Sequence, residues 1–124
     1  MPVDDTDLEN AFTGGEYTQV ETDDADRVPQ TAVAEFAAFL FKDKYTGQAI
    51  ITVRWNGQSN LASSDSTIYL QIYNRDITTW ETLDSDDITG VDTDFDLEGQ
   101  VIANLGDYYD ANFWIACRVY QEDI

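Results

Sequence analysis

The segments IYLQIYN (Ile68–Asn74) and FWIACRVYQ (Phe113–Gln121) decide the fold class. In both of them, apolar side chains recur at every second position. These positions are Ile68, Leu70 and Ile72 in the first segment and Phe113, Ile115, Cys117 and Val119 in the second. A period of two places alternate side chains on opposite faces of a β-strand. We therefore predict that each segment is a strand with one face in the core, where Cys117 is a small buried hydrophobe.

Further runs of β character lie between turn signals. They are Ala32–Lys42, Gln48–Trp55, Thr79–Leu83 and Asp94–Ile102. Ala32–Leu40 could also form a helix, but its aromatic residues favour a strand. Asn56–Gly57 is a strong turn signal, and Leu105–Ala111 could make one helical turn. Short strands at hairpin spacing predict an all-β fold, an antiparallel β-sandwich or jelly roll.

Residues 1–30 differ in composition from the rest of the chain. Acidic residues dominate them, and Gly14–Gly15 and Pro29 interrupt regular structure. Their apolar residues are too scattered to form a core. Among these are Val3, Leu8 and Phe12. We predict an extended acidic arm over residues 1–30, with a short strand at Tyr17–Thr22, and a β-sandwich domain over residues 31–124.

Composition excludes several classes of function. The 124 residues suffice for one domain, and 25 Asp and Glu against 6 Lys and Arg give a formal charge of -19. Such a surface cannot neutralise nucleic-acid phosphates or bind a membrane through basic residues. Without His, and with Cys117 as its one cysteine, the chain has no Ser-His-Asp triad, zinc site or intrachain disulfide. We therefore predict a protein that is not an enzyme, with no catalytic residues, metal or cofactor.

The acidic excess is largely aspartate, and Lys42 and Lys44 are the only lysines. Molar salt shortens the Debye length to about 3 Å and so relieves the repulsion between carboxylates. We therefore favour a halophilic source over an acidic mesophilic one. The first 30 residues contain no signal-peptide pattern and the chain no apolar run of membrane-spanning length, so we expect synthesis in the cytoplasm without export by a signal peptide.

Acidic residues between Asp84 and Glu98 could suggest calcium binding. Asp92, Asp94 and Asp96 have the spacing that opens an EF-hand loop, but the later Gly and Glu of that loop are missing. Strand alternation explains the same spacing, since it places these carboxylates on the solvent side. We therefore predict that these carboxylates lie on a solvent-exposed strand face, and a calcium site of another type is the alternative.

Some aromatic residues must face away from the main core. Trp114 and Tyr120 fall on the strand face opposite Ile115 and Val119. On so charged a surface, outward aromatic side chains indicate a binding partner, either a protein or a glycan.

A longer pattern resembles a known module. A strand ending in W-x-G at Trp55–Gly57 precedes a Ser-rich loop, YLQIYN and WETL, and TDFDLEG, LGDYYD and FWIACRVYQ follow. This pattern resembles a β-sandwich module of prokaryotic surface and virion proteins. One module behind an acidic arm is similar in layout to the head decoration (cement) proteins of tailed viruses, which are jelly rolls that often trimerise. The acidic composition fits a virus of halophilic archaea.

The resemblance implies a structural virion protein on the capsid surface, with the major capsid protein as partner and a homotrimer as the assembly. The expected contact residues are Val3, Leu8, Phe12, Trp114 and Tyr120. The alternative is a carbohydrate-binding β-sandwich module on a virion or cell surface, whose outward Trp and Tyr side chains bind a glycan.

Overall fold

The structure, a computed structural model, describes residues 36–47 and 50–122. The predicted arm over residues 1–30, its strand at Tyr17–Thr22 and the contact residues Val3, Leu8 and Phe12 lie outside the described residues.

Six strands and one short 3-10 helix make up the described part of the chain. They are β1 (Phe36–Lys44), β2 (Ile51–Gly57), β3 (Ile68–Asn74), β4 (Thr79–Asp86), β5 (Phe95–Val101), the 3-10 helix Leu105–Asp107 and β6 (Trp114–Glu122). Antiparallel pairing gives a four-stranded sheet in the order β1-β6-β3-β4 and a two-stranded sheet of β2 and β5. The predicted all-β, antiparallel sandwich is confirmed. A jelly roll has eight strands, so that finer assignment stays a prediction.

The core lies between the two sheets. Leu70 and Ile72 of β3 and Cys117 of β6 point from the larger sheet toward Val53 and Leu97 of the smaller one, and all five are buried. Burial of such aliphatic side chains contributes about 1.5–3 kcal/mol each. Burial also raises the pKa of the Cys117 thiol to about 12, so this cysteine is an unreactive core residue, as predicted.

The predicted turn at Asn56–Gly57 is wrong. Both residues belong to β2, in register with Asp96 and Phe95 of β5. The Asn56 amide donates hydrogen bonds to the carboxylates of Asp94 (3.1 Å) and Asp96 (2.8 Å). These cross-strand bonds hold Asn56 in an extended conformation, and the chain reverses in the loop that follows.

The strand predicted to begin at Phe113 begins one residue later, at Trp114. Phe113 has a positive φ of 66° and is exposed rather than part of the apolar face. Its N–H donates to the Asp110 carbonyl (3.0 Å), while the Asp110 carboxylate accepts the N–H of Trp114 (3.0 Å). The turn made by Asp110 therefore takes Phe113 out of the strand. The predicted helical turn nearby is confirmed as the 3-10 helix Leu105–Asp107.

Gly99 marks a close approach between β5 and β4. A Cβ atom at this position would lie 2.6 Å from Leu83 Cβ and 3.1 Å from the Leu83 carbonyl oxygen. Gly99→Ala should therefore lower the free energy of unfolding by about 1–3 kcal/mol through overpacking. Gly106→Ala is the matched control, because a Cβ there meets no atom within 4 Å. Urea denaturation would contradict the close approach if the two variants had equal midpoints.

Candidate partner-binding surfaces

Exposed apolar side chains gather at one end of the sandwich. At this end β1, β3 and β5 finish and β2, β4 and β6 begin, as the paired positions Lys44–Trp114 and Ile51–Val101 show. The exposed apolar residues here are Tyr45, Ile50, Ile77, Ile102, Phe113 and Trp114. We call this set the apolar end. Its most exposed member, Ile102, keeps 71% of its surface accessible, and Trp114 keeps 38%.

Hydrogen bonds fix the loops of the apolar end. The Asp110 carboxylate accepts hydrogen bonds from the backbone N–H groups of Asn112 (2.8 Å) and Trp114 (3.0 Å). The bond from Trp114 is the main reason why the pKa of Asp110 is lowered. Arg75 joins the β3–β4 hairpin to the β5–β6 loop, because its guanidinium donates to the carbonyl oxygens of Tyr108 (3.0 Å) and Trp114 (3.3 Å). Phe113 and Trp114 are thus carried on a pre-organised backbone, which lowers the entropic cost of binding.

The opposite end of the sandwich is closed by polar contacts. Ser63 Oγ donates to the Asp86 carboxylate, and the Thr89 N–H donates to the same group (3.0 Å). Burial raises the pKa of Asp86, but the hydrogen bonds from Ser63 and Thr89 outweigh it, so the net shift is downward. Ile88 and Val91 are the exposed large apolar residues of this end among those that the structure describes. In the described part of the chain, most of the exposed large apolar side chains therefore lie at one end of the sandwich, whereas partly buried polar hydrogen bonds close the other.

A shallow cleft opens beside the apolar end, between the end of β1 and the start of β2. Its volume is about 270 Å³, and Ile51, Tyr109 and Ile115 contribute apolar lining. Burial raises the pKa of the Tyr109 phenol, which keeps this side chain neutral at ordinary pH. Lys44 and Tyr45 also line the cleft. Binding sites for small molecules usually enclose about 300–1,000 Å³, so this cleft suits a single side chain better than a free ligand.

The outer face of the four-stranded sheet carries an aromatic cluster around Arg118. The Arg118 guanidinium lies 4.3 Å from the centre of the Trp80 ring and 5.1 Å from that of Tyr120. Its Nε donates to Gln71 Oε1 (2.8 Å), and only 6% of the residue is exposed. Tyr120 also stacks on Tyr69, with ring centres 5.1 Å apart. We call these five residues the Arg118 cluster; its geometry indicates a structural role for the rings.

A family model described as "Uncharacterized protein, C-terminal domain" matches residues 1–124. The chain belongs to this family, AF_1625_C. The match includes the predicted arm as well as the strands. No curated protein and no solved structure matches the chain.

Two of the predicted contact residues of this AF_1625_C domain lie within the described chain. Trp114 and Tyr120 both point away from the core, as alternation predicts, but they are six residues apart on β6 and so about 20 Å from each other. Trp114 belongs to the apolar end, where Lys44 Nζ lies 5.8 Å from its ring centre. Tyr120 belongs to the Arg118 cluster. The structure therefore does not unite them in one surface.

The carboxylates considered for calcium face solvent beside polar partners. Asp96 accepts hydrogen bonds from Asn56 and from Arg54 (3.2 Å). Both bonds lower the pKa of Asp96, and the bond from Asn56 has the larger effect. Within residues 36–47 and 50–122, no group of three or more acidic or sulfur ligands is placed to hold a metal ion. The solvated-face interpretation is confirmed for Asp94, Asp96 and Glu98. The described residues also contain no helix long and apolar enough to cross a membrane.

Several residues of these surfaces were not predicted from the sequence. Ile50, Ile77 and Ile102 belong to separate loops, and Arg118 is buried although it is charged. The sequence did hold one signal for Arg118, because strand alternation places it on the same face as Tyr120. The three isoleucines had no such signal, since only the topology brings their loops together.

Proposed function

We propose that this domain is a structural virion protein, a capsid decoration protein that docks on the major capsid protein and stabilises the capsid surface. The one-sided apolar end carries the proposal. A chain with a formal charge of -19 is expected to cover its surface with charge, yet six large apolar side chains stand exposed together at one end. Contiguous exposed apolar patches mark interaction sites.

The chemistry of the apolar end favours a protein surface as partner. Exposed Ile, Phe, Tyr and Trp side chains gain free energy by burial, about 1.5–3 kcal/mol for a side chain that becomes fully buried. Aromatic residues are enriched in protein–protein interfaces. Such a face can attach to a capsid without any chemical step, and the acidic remainder then faces the solvent.

The glycan alternative has less support. A sugar-binding platform needs exposed ring faces, whereas the rings of Trp80 and Tyr120 in the Arg118 cluster are stacked against the guanidinium, and Tyr120 also lies against Tyr69. Trp114 is the most exposed tryptophan of the described residues, and the Lys44 ammonium lies 5.8 Å from its ring centre, so one ring face already has a cation beside it.

Other parts of the proposal follow from the resemblance and the composition. We propose a homotrimer on the capsid of a halophilic virus, with residues 1–30, including Val3, Leu8 and Phe12, adding to the attachment. The capsid surface is then the location of the mature protein.

Capsid binding tests the proposed function. Ile102→Asp combined with Trp114→Asp should weaken binding to capsids of the proposed virus by about 30-fold or more, because interface hot spots contribute at least about 2 kcal/mol. Ile88→Asp is the matched control, since Ile88 is 83% exposed at the opposite end. Co-sedimentation measures bound protein, and circular dichroism verifies folding.

Two results would contradict the proposal. One is an equal loss of binding for Ile88→Asp and the double variant. The other is specific binding of the wild-type chain to a glycan, abolished by Trp114→Asp, with no affinity for capsids; that result would establish the carbohydrate-binding alternative.

A further inference from the structure

The cleft beside the apolar end has the features of a receptor for one apolar side chain. Ile51 and Ile115 supply an apolar lining, and Ile50, 59% exposed, extends it toward solvent. Its volume of about 270 Å³ is small for a free ligand but sufficient for a side chain that brings its own backbone. The remaining question is which segment carries that side chain.

Positive charge near the cleft points to an acidic segment. Lys44 lines the cleft together with Asp43, and Lys42 lies two residues before Lys44 on β1. Arg75 holds the neighbouring hairpin, and it and Lys42 act on the Asp110 carboxylate, so three cations offset the carboxylates at this end. The chain has only 6 Lys and Arg against 25 Asp and Glu, so this end carries much of its positive charge. An acidic peptide with isolated apolar residues would match both the charge and the lining.

We propose that residues 1–30 of a second copy of this chain bind at the cleft and insert Phe12 between Ile50 and Ile115. This proposal rests on the proposed function for its setting, a layer of neighbouring copies on a capsid. Contact between two sandwich bodies would oppose like charges over most of their surfaces, whereas at the cleft the acidic segment meets Lys42 and Lys44, the two lysines of the chain. Ile77, Ile102 and Trp114 of the apolar end stay available for the capsid, as do Val3 and Leu8 of the segment.

The length of the chain allows this link. β1 begins at Phe36, at the end of the sandwich opposite the cleft, and its nine residues span about 30 Å. The residues between Phe12 and Phe36 can extend to about 80 Å. Such a contact joins two different surfaces, so successive copies are related head to tail, and a rotation that closes gives a ring such as the proposed trimer.

Disulfide trapping between full-length chains tests the proposal. A Phe12→Cys chain, activated as its mixed disulfide with thionitrobenzoate, is mixed with a size-tagged Ile50→Cys chain, whose thiolate displaces thionitrobenzoate to form the disulfide. This covalent heterodimer should form about a hundredfold faster than with Ile88→Cys, because docking supplies an effective concentration in the millimolar range. Cys117 does not compete, since it is buried and burial raises its pKa to about 12. Adding Lys44→Glu to the Ile50→Cys chain should slow the trapping about two- to fivefold at low salt.

Two outcomes would overturn the proposal. The first is equal trapping at positions 50 and 88. The second is closure of a Phe12→Cys, Ile50→Cys double variant within one chain while the mixed single variants do not react. If Ile50→Cys fails to fold, Tyr45→Cys offers a second exposed acceptor position on the cleft. Capsid binding depends on Ile102 and Trp114, so failure of the trapping leaves the proposed function separately testable.

Discussion

Replacing Arg118 with alanine should lower the free energy of unfolding by about 3–4 kcal/mol. Arg118 is 6% exposed, and its guanidinium lies against the rings of Trp80 and Tyr120. A desolvated cation over an aromatic face contributes about 2 kcal/mol or more, and its loss also leaves Gln71 Oε1 without the donor at 2.8 Å. Burial lowers the pKa of Arg118, but an arginine starts so far above neutrality that it stays charged.

Arg54→Ala is the matched control for this prediction. Arg54 forms an exposed ion pair with Asp96 at 3.2 Å, and its removal should cost no more than about 1 kcal/mol. Arg118→Lys should fall between the two, because lysine keeps the charge but not the planar group that stacks on both rings. Urea denaturation at constant molar salt measures all three variants. Equal midpoints for Arg118→Ala and Arg54→Ala would show that the Arg118 cluster does not stabilise the sandwich.

The strands with one buried face could be predicted from the sequence. Leu70 and Ile72 of β3 alternate with residues of the other face because each inward position must be apolar, and this requirement is local in sequence. The same reasoning placed Cys117 and Val119 in the core. Alternation therefore gave the fold class correctly wherever a strand borders the core.

The errors arose where side-chain hydrogen bonds override the preference read from residue type and alternation. Asn56–Gly57 has a strong intrinsic preference for a turn, but Asp94 and Asp96, about 40 residues further along, bind the Asn56 side chain and keep it in β2. At Phe113 the apolar alternation was extended one position too far toward the N-terminus, because the turn fixed by Asp110 makes β6 begin at Trp114. The first effect lies outside any window of ten residues, whereas the second depends on a local hydrogen bond that apolar alternation does not reveal.

The candidate surfaces were less predictable than the fold. Alternation gave the outward direction of Trp114 and Tyr120, but not that one of them would be exposed beside Lys44 and the other stacked on Tyr69. The apolar end depends on which strand ends lie together, and hence on the order β1-β6-β3-β4. Ile102 belongs to an exposed apolar surface only because the fold places loops that are remote in sequence at the same end of the sandwich.

Raising potassium chloride from about 0.15 M to about 3 M should raise the thermal midpoint by about 10–20 °C, the largest shift expected for this chain. The formal charge of -19 makes the folded chain repel itself, and the Debye length falls from about 8 Å to below about 3 Å over this range. A relief of a few kcal/mol produces a shift of this size in a domain of about 100 residues. Differential scanning calorimetry in potassium and sodium chloride measures the midpoint.

A charge-reduced variant separates screening from the general strengthening of apolar contacts by salt. Asp65, Asp76, Asp87 and Asp92 are exposed, and replacing all four with Asn removes four negative charges without touching the core. Asn also tolerates the positive φ of Asp92. If repulsion is the cause, this variant should melt higher than the wild type at 0.15 M and gain less from added salt. An equal rise of the thermal midpoint in both chains would mean that repulsion between carboxylates does not cause the salt dependence. An effect of salt that is independent of protein charge would then account for the whole shift.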